Sequence, residues 1–314
     1  MRRPLAERRD VAAEITNLII AKIEAGTAPW TRSWSAGSAG GRPRRHNGQA
    51  YSGINCLYLW ALGAEAGYTS PYWMTYNQAA ALGAQVRRGE SGSLSVYFNA
   101  VSKTETDAGT GEQNSRLIRF MRHYVVFNAE QIEGLSPHFH PGVTTAIVAP
   151  SVRQAAIDAF FAAIPADIRY GGDKAFFSPS HDFIQVPRPS AFKSQDYFAS
   201  VLAHECVHWS GCPDRLARTF GKRFGDDAYA FEEIVATIGQ SFICADLDLP
   251  PELHDSHASY AGHWLRVLRS DKSAIIHAAS KAEQAARYLK AFSEGPTDDP
   301  SAGKEHDRED ALQS

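Results

Sequence analysis

The residues best placed to do chemistry are His204, Glu205, Cys206, Val207 and His208, an H-E-x-x-H run. Two histidines four positions apart on a helix project from one face and can share one cation. The glutamate between them points close enough to hold a water bound to that cation. With twelve histidines in 314 residues, chance yields on the order of 0.02 such matches, so the run is read as chemistry. Tyr197, Phe198, Val201, Leu202 and Val207 recur at helical spacing and Gly211 with Pro213 marks a stop, which predicts a helix carrying the run. A catalytic zinc takes three protein ligands and leaves a position for water, so a third ligand is expected downstream. Manganese or cobalt could fill the same donor set. The candidate stretch is Phe231 to Gly239, predicted helical, with Phe231, Ile234, Val235, Ile238 and Phe242 on its apolar stripe. Glu232 and Glu233 both lie on it, and residue type alone leaves the choice between them open.

Such a site needs a core to hold it. The chain is 44% hydrophobic and 21% charged, long enough for two domains with separate cores. The net charge of -3 conceals an uneven distribution: ten arginines fall in the first ninety residues, whereas Asp298, Asp299, Glu305, Asp307, Glu309 and Asp310 crowd the end. A basic front module and an acidic tail follow. Cys56, Cys206, Cys212 and Cys244 form no C-x-x-C pair and no secreted-type framework, so they are expected as reduced thiols. With no run of membrane-span length and no signal-peptide core, no membrane partner is expected and a cytoplasmic location is.

In chain order, Asp10 to Glu24 is predicted as an amphipathic helix. A Gly/Ser/Arg stretch, Ser35 to Arg45, follows as a mobile basic loop suited to a polyanion. Helices are predicted from Tyr51 toward Leu62, closed by Gly67, and from Trp73 to Leu82. A short strand and turn span Gly83 to Glu90, and strands Leu94 to Val101 and Leu117 to Phe127 flank a hairpin tip at Ser102 to Ser115. Arg32, Arg42, Arg44, Arg45, Arg87 and Arg88 interleave with Trp30, Trp34, Tyr51, Tyr72 and Tyr76. That is the cationic track with aromatic faces that single-stranded DNA requires. Trp60 and Trp73 are expected in the core, and His123, His138 and His140 match no ligand spacing. Pro137 to Pro150 is predicted as a linker, followed by a helix at Val152 to Ile164, strands at Ala175 to Phe177 and Asp182 to Val186, and helices at His254 to Leu268 and Lys272 to Phe292.

Two resemblances sharpen this reading. The order of elements and the segment Glu233 to Gly239 resemble the gluzincin branch of metallopeptidases. The resemblance implies Glu233 as third ligand, Glu205 as general base, and the strand Asp182 to Val186 as the cleft edge that pairs with an extended peptide. The acid that this branch carries four residues after its glutamate is Thr237 here, and Glu232 or Asp227 is expected to orient a ligand histidine instead. His257, Tyr260 and His263 lie where such enzymes keep a proton donor.

The second resemblance covers nearly the whole chain, from about Arg9 to about Leu289. Glu14-Ile15-Thr16, Pro29-Trp30, Trp34, Tyr51 to Asn55, Trp73 to Gln78, Gly83 to Glu90 and Val126 to Gln131 resemble the N-terminal domain of ArdC-type antirestriction proteins, itself related to part of the TraC-type plasmid primases. Ala175 to Pro179, Asp182 to Ile184 and the H-E-x-x-H helix are similar to the zincin-like domain that follows in that family. The resemblance implies an α+β protein of two domains: 1–136 binding single-stranded DNA, a linker at 137–150, a metallopeptidase-like domain at 151–292 and a disordered acidic tail at 293–314. It further implies one Zn2+ per chain and protection of incoming mobile DNA. A protein or peptide substrate is a further partner it leaves open.

Overall fold

The structure, a computed structural model, describes residues 10–26, 41–106, 113–141, 150–221, 226–249 and 257–294, with side chains described except at 98–106, 113–121, 150 and 257–261. Arg32, Trp30, Trp34, the hairpin tip at 107–112 and the acidic tail beyond Glu294 therefore lie outside the described residues.

The first helix, α1 (Val11–Glu24), starts where Asp10 accepts a hydrogen bond from the Ala13 N–H, and it buries Val11, Ile15, Ile19 and Ile23 on one stripe. A two-residue strand, β1 (Arg44–Arg45), precedes α2 (Gly53–Ala66), which ends at Gly67 in the left-handed conformation that glycine adopts without penalty. Trp73, expected in a helix, lies in a strand instead: β2 (Tyr72–Met74) is buried on both faces. The helix α3 (Tyr76–Ala81) begins only at the Thr75/Gln78 capping box, in which each side chain satisfies the other's backbone N–H. Strands β3 (Gln85–Val86), β4 (Ser93–Thr106), β5 (Gln113–Asn128) and β6 (Ile132–Glu133) complete the module. β4 and β5 pair antiparallel from Ser93 opposite Val126 to Thr106 opposite Gln113, so the hairpin arms run further than their apolar alternation indicates. The sheet order is β1-β2-β5-β4, beside a small β3-β6 ribbon. Pro137–Phe139, expected as linker, is a 3-10 turn whose buried Phe139 packs edge-on against Tyr72.

The second half contains α4 (Pro150–Ala163), then β7 (Asp167–Tyr170), β8 (Phe176–Ser178), β9 (Phe183–Val186), α5 (Gln195–Trp209), α6 (Asp227–Asp246), α7 (His257–Ser270) and α8 (Ala274–Glu294). The strand expected at the cleft edge, β9, is the centre of its sheet, parallel to β7 and antiparallel to β8. Its Ile184 and Val186 are fully buried, as a central strand requires. β7 and β8 are the edges instead.

The core does not divide where the basic front half meets the half that carries the H-E-x-x-H helix. Val11, Ile15, Leu57 and Trp60 of α1 and α2 join one cluster with Leu202, Ile234, Phe242, Ile275 and Leu289. Each fully buried side chain of this kind contributes about 1.5–3 kcal/mol. The seam carries a buried cation. Arg42 is 7% exposed, pairs with both oxygens of Asp246 at 2.8 and 2.9 Å and with Glu283 at 2.6 Å, and lies 4.5 Å over the Phe242 ring. Glu283 also accepts the Gly53 N–H at the start of α2. The front module is thereby fastened to α6 and α8.

Candidate metal centre

Ser194 caps α5 by accepting the Tyr197 N–H, and Asp226 caps α6 by accepting the Tyr229 N–H. The two helices cross at Gly239, where a Cβ would come within 2.8 Å of Val207 Cγ2. Only a residue without a side chain lets α6 approach the motif helix this closely, and the approach brings Glu233 against the histidines. His204 Nε2 and His208 Nε2 lie 3.1 Å apart, and the two Glu233 oxygens stand 3.5 Å from one or the other. In a tetrahedral site with bonds of about 2.0–2.1 Å, neighbouring donor atoms lie roughly 3.3–3.4 Å apart. These three side chains are the one group among the described residues whose donor atoms converge within 4.8 Å. Two imidazoles and a carboxylate with that separation fit a zinc-sized divalent cation.

Both rings are oriented from behind. His204 Nδ1 faces Gln240 Oε1 at 3.3 Å, and the Gln240 amide N–H donates to Ser200 Oγ at 2.7 Å, which fixes the amide's sense. His208 Nδ1 faces Glu232 Oε1 at 3.2 Å. A carboxylate only accepts, so the neutral form of His208 carries its proton on Nδ1 and turns the Nε2 lone pair to the centre. Glu232 is therefore behind the ring, and Glu233 in front of it. Glu232 is held in turn by Arg218, whose Nη2 and Nε donate at 2.8 and 3.0 Å. Asp227, the other acid expected to take over Thr237's place, is exposed and pairs with Arg266 instead. Arg218, Gln240 and Ser200 were not legible as site residues: Gln240 sits two helical turns beyond Glu233, and Arg218 lies in a loop with no pattern.

The electrostatics of the site are set by burial and by the charges these side chains present to one another. Burial pulls the His208 pKa down, but Glu233 and Glu232 outweigh it and push it up to about 10. Burial opposes the charge on Glu233, yet the two histidines hold its carboxyl well below the usual range. Glu205 shifts the other way: burial raises its pKa, only partly countered by His204, His208 and a hydrogen bond from the Phe177 N–H.

Glu205, His204, His208, Glu232 and Glu233 line a cavity of about 540 Å³. Its walls include Phe176, Phe177, Phe192, Phe220 and Tyr229, and among the described residues Lys174 is the lysine that lines it. β8 forms one rim. The side chains of His257 and Tyr260 lie outside the described residues.

The expected DNA contacts separate into two groups. Arg42, Arg45 and Tyr51 are corrections: all three are buried, Arg42 in the seam described above and Arg45 over the Tyr51 ring at 5.2 Å. Tyr72 is buried as well. Arg44, Arg87 and Arg88 are exposed, Arg87 paired with Glu90, and Tyr76 is 50% exposed. Among the described residues, no helix is long and apolar enough to cross a membrane.

The fold and the site define a class: an α+β protein in which a zincin-like domain follows a front module of a different kind. Residues 155–281 match the family described as zincin-like metallopeptidase, and residues 9–127 match the N-terminal domain of anti-restriction factor ArdC. The metal-free crystal structure of the antirestriction protein ArdC from plasmid R388 is 41% identical, with a TM-score of 0.77, covering 92% of this chain and 100% of that one. Its Mn(II)-bound form is 40% identical, with a TM-score of 0.75 and the same coverage. Protein y4eC of Sinorhizobium fredii, whose function is uncharacterised, is 39% identical over 90% of this chain and 92% of its own length. DNA primase TraC of Escherichia coli is 36% identical over 89% of this chain, which spans only 27% of the primase. The chain belongs to the ArdC family of antirestriction proteins.

Proposed function

We propose that this protein shields incoming mobile DNA from restriction in the cytoplasm, holding single-stranded DNA on its front module and carrying a zinc-dependent peptidase site in its second. The observation that carries the catalytic half is the meeting of His204 Nε2, His208 Nε2 and Glu233 in a cleft that also contains Glu205. His204, His208 and Glu233 would hold the ion. When bound, a divalent cation of this kind lowers the pKa of water and so supplies a nucleophile at neutral pH. Glu205 is the general base: its carboxylate, oriented by the Phe177 N–H, takes a proton from the attacking water and returns it to the leaving nitrogen. Burial raises its pKa above that of an exposed carboxylate, which strengthens it as a proton acceptor.

For the DNA half, Arg44, Arg87 and Arg88 with Tyr76 supply exposed charge and a stacking face. Arg32 belongs to the same reading. The test compares transfer of unmodified DNA into a restricting host. Protection that survives Glu205→Gln but not Arg44→Ala with Arg88→Ala supports direct shielding, and loss with Glu205→Gln alone overturns it in favour of cleavage of a target protein.

A further inference from the structure

We propose that Arg218 is a positioning residue of the metal centre, acting through Glu232 on His208. The inference rests on the reading of His204, His208 and Glu233 as the ligand set. Arg218 and Glu232 are both buried, with side chains 3% and 4% exposed. The guanidinium spends its donors on two elements at once. Nη2 and Nε go to Glu232 on α6, while Nη2 also reaches the Val207 carbonyl at 2.5 Å and Nη1 reaches Ser210 Oγ at 3.0 Å, both at the end of α5.

Val207 is the residue before His208, and Glu232 is the residue before Glu233. One planar group thus fixes the distance between the segment that carries the second histidine and the segment that carries the carboxylate. A second effect acts on the ring itself. With its carboxylate held by Arg218, Glu232 has a fixed oxygen toward His208 Nδ1, which locks the tautomer and the ring plane. The position four residues after Glu233 does not share this work, because Thr237 Oγ1 is buried without a hydrogen-bond partner. His204 Nδ1 meets the neutral Gln240 amide. The groups facing the two Nδ1 atoms differ, a carboxylate held by Arg218 for His208 and an amide for His204. A guanidinium is suited to this place because its fork meets two oxygens and a carbonyl together, which an ammonium cannot do in one geometry.

Removing Arg218 alone strands a buried carboxylate, so the informative variants are Arg218→Lys and the double change Arg218→Met with Glu232→Met. The double change replaces the buried pair by apolar groups of similar volume, and such replacements commonly preserve folding. The full chain is titrated with cobalt(II), read by its visible absorption, and with zinc against a chromophoric chelator. Thermal unfolding of the metal-free protein is followed alongside. The expected result is zinc affinity lowered about 10–100-fold in the double variant, with a changed cobalt spectrum, and an intermediate loss in Arg218→Lys. Wild-type affinity and an unchanged cobalt spectrum in either folded variant overturn the proposal, because a pair that only stabilises the fold leaves both readouts alone. Glu233→Gln is the control on the ligand set. If it keeps full zinc affinity, the ligand assignment is wrong, whatever Arg218 does.

Discussion

Arg42→Ala tests whether a basic residue in the front module grips DNA or fastens the fold. The guanidinium makes three short ion-pair contacts, two to Asp246 and one to Glu283. Truncating one partner of a buried pair costs about 3–5 kcal/mol, mostly from the charge left behind. Two features move the figure to the lower end. Asp246 is 25% exposed and can be rehydrated, and the other Glu283 oxygen keeps Arg287 at 3.1 Å. At about 3 kcal/mol and about 2 °C per kcal/mol for a protein of this size, Tm should fall by roughly 6 °C. Circular dichroism melting measures it. A phosphate contact makes a different mark: its loss lowers the slope of log affinity against log salt by about 1. For Arg42→Ala that slope for a single-stranded oligonucleotide should match wild type, measured below the variant's melting range. An unchanged Tm together with a reduced slope would refute the burial argument.

Arg44→Ala and Arg88→Ala should do the reverse, lowering the salt slope by about 1 each while leaving Tm within about 1 °C. Glu283 is held below the ordinary carboxylate range, chiefly by Arg42 working against burial. Its contribution is therefore present above about pH 4.3, the unfolded value, and lost as pH falls toward the folded pKa. The acid limb of Tm against pH should flatten in Arg42→Ala. Gly239→Ala forces a methyl onto Val207, so it should cost about 1–3 kcal/mol in denaturant unfolding and weaken zinc binding by parting α5 from α6. Adding Val207→Ala should recover the zinc affinity. Glu205→Gln should retain one metal per chain by mass spectrometry and abolish hydrolysis of any peptide that wild type cleaves, because the base is not a ligand.

How legible each feature is depends on how far its cause lies along the chain. The motif helix and its stop, the third-ligand helix and the amphipathic stripe of α1 are local, and spacing alone places them. Glu233 comes from resemblance, and the geometry separates it from Glu232 by putting one carboxylate before the His208 ring and the other behind it. The misread residues have distant partners. Nothing near Arg42 marks it as buried, because its acids are Asp246 and Glu283, and Arg218 likewise needs Glu232 on another helix. Strand order has the same origin: β9 follows β8 in sequence and precedes the metal helix, but β7, a short and largely exposed segment, covers its other side. Trp73 shows local competition instead. Aromatic residues suit a strand, and the Thr75/Gln78 box starts the helix after it.

The central claim is that three side chains brought together by α5 and α6 hold one ion in front of Glu205. Anomalous diffraction from zinc-soaked crystals tests it most directly. The account predicts one peak per chain, about 2.0–2.2 Å from His204 Nε2, His208 Nε2 and a Glu233 oxygen, with Glu232 still on His208 Nδ1. A peak bound to Glu232, or no peak between the two histidines at saturating zinc, would contradict it.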